Sequence, residues 1–154
     1  GHITAIELHP SRAILIDELM NKLGVSIVKT KTLDARLLAN ELPEKEYDLI
    51  LADVPCSGLG VLRRKADIKL RMTPTQLDEI EGLQRAILEG IHSLCKVNGH
   101  LVYSTCTLNK KENEHQIKFF LSKYPQYRLV EEKTIFPQDF GSDGFYMAKL
   151  KRVE

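Results

Sequence analysis

Leu49-Ile50-Leu51-Ala52-Asp53-Val54-Pro55-Cys56-Ser57-Gly58 is an apolar run that stops abruptly in a polar turn carrying a thiol. The run has the make-up of a short buried strand, and Pro55 and Gly58 punctuate its end. A second stretch repeats the arrangement, with His100-Leu101-Val102 leading into Tyr103-Ser104-Thr105-Cys106-Thr107. In an open parallel α/β sheet the strand ends are where ligand chemistry is placed. Two thiols delivered to one such edge, one beside the carboxylate of Asp53, point to covalent catalysis on an electrophilic ring.

Working outward, the pattern alternates strand and helix. Ile3-Thr4-Ala5-Ile6 reads as a strand ending in Glu7. A helix follows, with Ser11 as its cap, Ile14, Leu15, Leu19 and Leu23 spaced for a buried face, and Gly24 at its stop. Residues 26–29 read as the next strand, with Asp34 in the turn beyond it. The longest helix is expected over 75–96, its apolar face marked by Leu77, Ile80, Leu83, Ile87, Ile91 and Leu94, with Asn98-Gly99 ending it. Residues 112–124 form a further amphipathic helix with Ile117, Phe120 and Leu121 inward. Residues 127–130 and 145–150 read as final strands around Gly141-Ser142-Asp143-Gly144. Such alternation implies an α/β fold, a mostly parallel sheet with helices on both faces.

The 154 residues fit one domain, taken here as 1–154, with 43% hydrophobic and 28% charged residues. A net charge of +1 gives no global basic field, so any RNA contact rests on local patches such as Arg63-Arg64-Lys65 with Lys69 and Arg71. Such a run is also what a solvated loop looks like. Three cysteines without a signal-like start favour a reducing, cytoplasmic setting, and no stretch approaches membrane-spanning length. Cys95 falls within the long helical pattern and reads as a small buried hydrophobe. No Cys-x-x-Cys or His pair has metal-ligand spacing, so no metal is expected. Glu112 and Glu114, like Asp17 and Glu18, read as solvated helix faces.

The segments 53–60, 61–69 and 104–108, together with Asp143-Gly144-Phe145-Tyr146, resemble in order the RNA cytosine-C5 methyltransferases, most closely the bacterial Sun (RsmB) family acting on small-subunit ribosomal RNA. Leu70 stands where that family often has Trp. The resemblance implies a class I S-adenosylmethionine-dependent methyltransferase (Rossmann-like) fold that begins here at the second strand, without the first strand and its glycine-rich loop. The sheet is then expected to show a gap, a rearranged pairing, or an edge open to self-association. Weak or absent cofactor binding is also expected of the isolated piece, whose activity the sequence leaves open.

By the same resemblance, Cys106 attacks C6 of the cytosine and Cys56 assists release. The residues alone leave the two thiols interchangeable. Thiolate addition makes C5 nucleophilic, and afterwards the C5 proton must leave to a second thiol or a water. A basic neighbour would favour the thiolate, and the segment after Gly60 is a candidate. Asp53 would meet the cytosine edge near N3, as a protonated acid if its site is desolvated. Glu7 is suited to a ribose diol and Asp34 resembles the residue that meets the adenine amine, with Asp53 completing the cofactor set. As strand-end acids, Glu7 and Asp34 also suit plain helix-capping roles. Phe145 is expected in the core, while Tyr146 is open between core and base pocket. A non-catalytic RNA-binding domain of this fold, or a transfer-RNA cytosine-C5 methyltransferase, are the alternatives.

Overall fold

A computed structural model describes residues 1–68 and 72–154, so Lys69, Leu70 and Arg71 of the basic segment lie outside the described residues. The elements run β1 (Ile3–Glu7), α1 (Pro10–Lys22), β2 (Val28–Thr32), a 3-10 turn (Ala35–Leu37), α2 (Leu38–Glu41), β3 (Tyr47–Asp53), α3 (Pro74–Ile91), a second 3-10 turn (His92–Leu94), β4 (Cys95–Thr105), α4 (Glu114–Lys123), β5 (Tyr127–Ile135), α5 (Pro137–Phe140) and β6 (Phe145–Arg152). β1 and β2 pair in parallel as a two-stranded sheet. The other four form a sheet in the order β3-β4-β6-β5, parallel between β3 and β4 and antiparallel on both sides of β6. Among the described residues, β1 and β3 are not joined by a ladder, so the expected gap lies between them.

The core follows from strand alternation. Ala52, Leu101, Tyr103, Tyr146, Ala148 and Leu150 point to one face of the larger sheet and are buried against Ile87, Leu88 and Ile91 of α3 and Ile117 and Phe120 of α4. α3 starts cleanly because Thr73 and Gln76 cap each other reciprocally and Pro74 occupies the first turn. The opposite face is open: Leu49 and Leu51 are 61% and 69% exposed. Each such leucine forgoes about 1.5–3 kcal/mol of burial.

Several expectations are corrected. Ile14, Leu15 and Leu19 of α1 and Leu23 just after it are 50–62% exposed, because among the described residues no element packs over the face their spacing defines. His9, not Ser11, caps α1, since Pro10 already begins the helix. The strand expected over 26–29 lies at Val28–Thr32. α3 is shorter than its apolar pattern, and Cys95 starts β4 instead of lying in a helix, although it is fully buried as foreseen. The Asn98-Gly99 signal marks an irregularity within β4, where the pairing jumps from Tyr47–Cys95 to Leu49–His100 and Asn98 takes φ +67°. Phe145 is exposed and Tyr146 fully buried, its hydroxyl donating to Glu132 Oε2 at 2.6 Å, because alternation along β6 turns Tyr146 inward.

Candidate active site

β3 and β4 are adjacent and parallel, so the turns that follow them meet. Val54 N–H donates to Ser104 O at 3.1 Å, and Gly60 N–H to Cys106 O at 3.0 Å. Between these ties, Cys56 Sγ and Cys106 Sγ stand 3.2 Å apart, both free and half-buried. The Cys106 N–H also points at Cys56 Sγ, at 3.3 Å. Burial, reinforced by the neighbouring Cys106 sulfur, pushes the Cys56 thiol up to about 12. Cys56 therefore keeps its proton at neutral pH and can donate it in a hydrogen bond to Cys106.

The basic neighbours expected to help ionise a thiol are otherwise engaged. Arg64 Nε pairs with Asp143 Oδ2 at 3.1 Å, and Arg63 Nη1 donates to Gly141 O at 3.4 Å. Both arginines and Lys65 are exposed. Asp53 is exposed on the open face of the sheet, where Ser104 Oγ donates to its Oδ1 at 2.9 Å, so it lacks the desolvated setting foreseen for a protonated acid.

Glu7 and Asp34 lie at the ends of paired strands. Glu7 Oε1 accepts from the His9 N–H at 2.9 Å and pairs with Arg12 Nη2 at 2.7 Å, and its pKa is lowered, first by that backbone bond. Arg12 thus orients the Glu7 carboxylate directly. Asp34 caps the first 3-10 turn through the Arg36 N–H, and both its oxygens are gripped by the Arg36 guanidinium. Its pKa is lowered, chiefly by that side-chain bond. Two half-buried carboxylates at neighbouring strand ends, held by exposed arginines, suit the hydroxyl and amine donors of a nucleoside. Among the described residues no cluster of His, Cys, Asp or Glu forms a metal site, and no helix is long and apolar enough to cross a membrane.

Glu112 is the residue that sequence reasoning missed. It precedes α4 and is fully buried beneath both thiol turns, not solvated. The run Lys110-Lys111-Glu112-Asn113-Glu114 carries no local sign of this. Only the polar residues after each cysteine, Ser57 and Thr107, hint at a shared partner.

Gly60 is needed for the turns to touch. A Cβ there would sit 2.2 Å from Gly144 O and 2.7 Å from Cys106 O, both backbone. Gly60→Ala is expected to force the turns apart at a cost of about 2 kcal/mol. Thermal unfolding of the variant checks this, and an unchanged midpoint would show that the turns yield freely.

A layered α/β sheet that presents paired thiols and strand-end carboxylates belongs to the Rossmann-like methyltransferase folds. The family described as 16S rRNA methyltransferase RsmB/F matches residues 1–151. The probable ribosomal RNA small subunit methyltransferase B of Bacillus subtilis is 35% identical, over 99% of this chain and 38% of its own length. The ribosomal RNA small subunit methyltransferase F of Cronobacter sakazakii is 33% identical, over 99% and 35%. The solved structure of NSun6 from Pyrococcus horikoshii with SFG superposes with a TM-score of 0.88 at 32% identity, covering all of this chain and 42% of that one. The chain belongs to the 16S rRNA methyltransferase RsmB/F family. It spans little more than a third of the length of these curated relatives.

Proposed function

We propose that this chain carries the reacting site of an enzyme that methylates C5 of a cytosine in small-subunit ribosomal RNA through a covalent bond between Cys106 and C6 of the base. The supporting observation is the pair of thiols 3.2 Å apart at the ends of adjacent parallel strands. A ribosomal RNA substrate also implies a cytoplasmic site of action.

Cytosine C5 is a weak nucleophile, and addition of a thiolate to C6 pushes an electron pair toward C5 while negative charge gathers at the N3 edge. Cys106 supplies the thiolate, stabilised by the S–H of Cys56, which burial keeps protonated. Asp53, steadied by Ser104, meets the N3 edge of the base, and a proton shared between its carboxyl group and N3 offsets the charge that gathers there. S-adenosylmethionine, when bound, supplies the electrophilic methyl group. Glu7 and Asp34 would hold its adenosine half through the ribose hydroxyls and the adenine amine, with Asp53 nearby. The relative solved with SFG, an analogue of this cofactor, supports that choice. With Cys56 protonated, water takes the C5 proton, the electron pair re-forms the C5–C6 double bond, and the S–C6 bond breaks. Cys56 then donates its hydrogen bond to the departing Cys106 sulfur. Exposed Lys65, and Arg63 and Arg64 on exchanging Gly141 O and Asp143 for phosphate oxygens, would meet the RNA backbone at the rim.

The test is to incubate a full-length enzyme that includes this chain with S-adenosylmethionine and unmethylated small-subunit ribosomal RNA, and to identify the product nucleoside by mass spectrometry. Asp34→Ala serves as a calorimetric control for cofactor binding. 5-Methylcytosine is expected, with cofactor affinity reduced at least tenfold in the variant. A methyl group on another ring atom would exclude the thiol-addition chemistry.

A further inference from the structure

Beneath the thiols lies a group that the proposed chemistry does not use. Glu112 is completely buried. Its donors are all neutral: Ser57 N–H at 2.8 Å, Ser57 Oγ at 2.7 Å, Asn109 Nδ2 at 2.9 Å and Gln84 Nε2 at 3.3 Å. A carboxylate withdrawn from water is costly unless such donors are held in place for it. Here the donors are the residues that follow the two cysteines.

We propose that Glu112 is a positioning residue that sets the separation of the two thiols by fastening the turn after β3 to the turn after β4. The proton count supports a directed chain. Ser57 spends its one hydroxyl hydrogen on Glu112, so across the 2.9 Å contact between Ser57 Oγ and Thr107 Oγ1 the threonine is the donor. Thr107 thus donates to Ser57 and Ser57 to Glu112, joining the residue after Cys106 to the residue after Cys56. Gln84 extends the clamp from α3, donating also to Pro55 O at 3.0 Å, immediately before Cys56. Glu112 is itself anchored, because its carbonyl accepts from the Tyr103 hydroxyl at 2.6 Å. Asn113, the next residue, holds the other turn by accepting from Thr105 Oγ1 at 2.7 Å and donating to Thr107 O at 3.0 Å. None of these side chains reaches the reacting atoms. They set where the two sulfurs lie, and the reaction is sensitive to that placement.

This inference rests on the proposed thiol chemistry, so its test has one readout independent of methyl transfer. Diamide oxidises neighbouring thiols, taking two hydrogens as the Cys56–Cys106 bond forms and becoming the corresponding hydrazine. The rate of that closure, followed by mass spectrometry, reports how closely the sulfurs are held. Glu112→Gln keeps the shape but turns an amide N–H toward donors, and is expected to slow closure at least tenfold. Methyl transfer in the same variant is expected to lose kcat by a similar factor with KM for RNA and cofactor unchanged. Ser57→Ala cuts the hydroxyl chain at its middle while leaving Glu112 bound to the residue-57 backbone N–H, Gln84 and Asn109, and carries the expectation of slowed closure in the same direction should Glu112→Gln fail to fold. Closure at the wild-type rate in a folded variant would overturn the proposal. If wild-type protein closes readily yet methylates no cytosine, the proposed function fails while the role of Glu112 is still decided.

Discussion

Cys106→Ala is expected to abolish methyl transfer and covalent capture of RNA together, whereas Cys56→Ala is expected to accumulate a protein–RNA adduct stable to denaturation. The two thiols are neighbours, but their burdens differ. Cys56 is held protonated by burial, so in the proposed chemistry its part is to donate a hydrogen bond to the Cys106 sulfur. A hydrogen bond to a charged partner contributes about 1.5–3 kcal/mol. Losing it in Cys56→Ala removes support from the attacking sulfur, but a sulfur freed of that donor is more nucleophilic, and the two effects partly cancel in the attack. Release has no such compensation, since the departing thiolate forms without its donor and the step slows by about 10- to 100-fold. Denaturing gel electrophoresis of protein incubated with RNA and cofactor separates the cases. An adduct from Cys106→Ala and none from Cys56→Ala would exchange the two roles.

Arg152→Met should lower folding stability by about 3 kcal/mol, read as a shifted urea midpoint. Arg152 is buried at the end of β6, and its Nη1 donates to the carbonyls of Cys95, Ser93 and His92 at 2.9, 3.1 and 3.4 Å. Those carbonyls belong to the turn where α3 passes into β4, so the guanidinium both satisfies them and complements the negative end of the helix. Methionine fills much of the space but removes the charged donor; Ser93 O and His92 O keep Lys45 N–H and the Tyr127 hydroxyl, so the loss of the charged bonds, that to Cys95 O first, dominates the cost. A midpoint within error of wild type would mean that water replaces the guanidinium without loss.

The strands bearing Cys56 and Cys106 were legible because a short apolar run followed by a polar turn is a local signal. So was the apolar face of α3, from Ile87 and Ile91 at helical spacing. What escaped depended on partners distant in the chain. The leucines of α1 announce an amphipathic helix, but periodicity does not say whether anything lies against it. Cys95 continues the apolar pattern of α3, and the Asn98-Gly99 pair that suggests a helix stop instead serves a distortion within β4. Phe145 and Tyr146 are equally apolar neighbours, and only the pairing of β6 with β4 decides which one faces inward. Glu112 sits among lysines and another glutamate, and its burial follows from two turns fifty residues apart in the chain. The candidate residues Asp53, Cys56 and Cys106 are brought together at one edge, whereas Glu7 and Asp34 belong to the separate two-stranded sheet.

That separation divides the molecule into regions of unequal cohesion. The thiols rest on four laddered strands with two helices packed against them. The carboxylates suited to a nucleoside rest on a two-stranded ribbon tied across by contacts such as Tyr47 Oη to Thr4 Oγ1 at 3.4 Å, and by the close approach of Gly90 to the Ala35 and Arg36 carbonyls. Local opening costs less where few buried contacts must break. The ribbon can therefore breathe while the reacting pair stays assembled, so occupancy of the nucleoside site and readiness of the thiols become separately adjustable quantities. A ligand bridging Glu7, Asp34 and Asp53 would stitch the two regions into one cooperative unit, and part of its binding energy would be spent as rigidity.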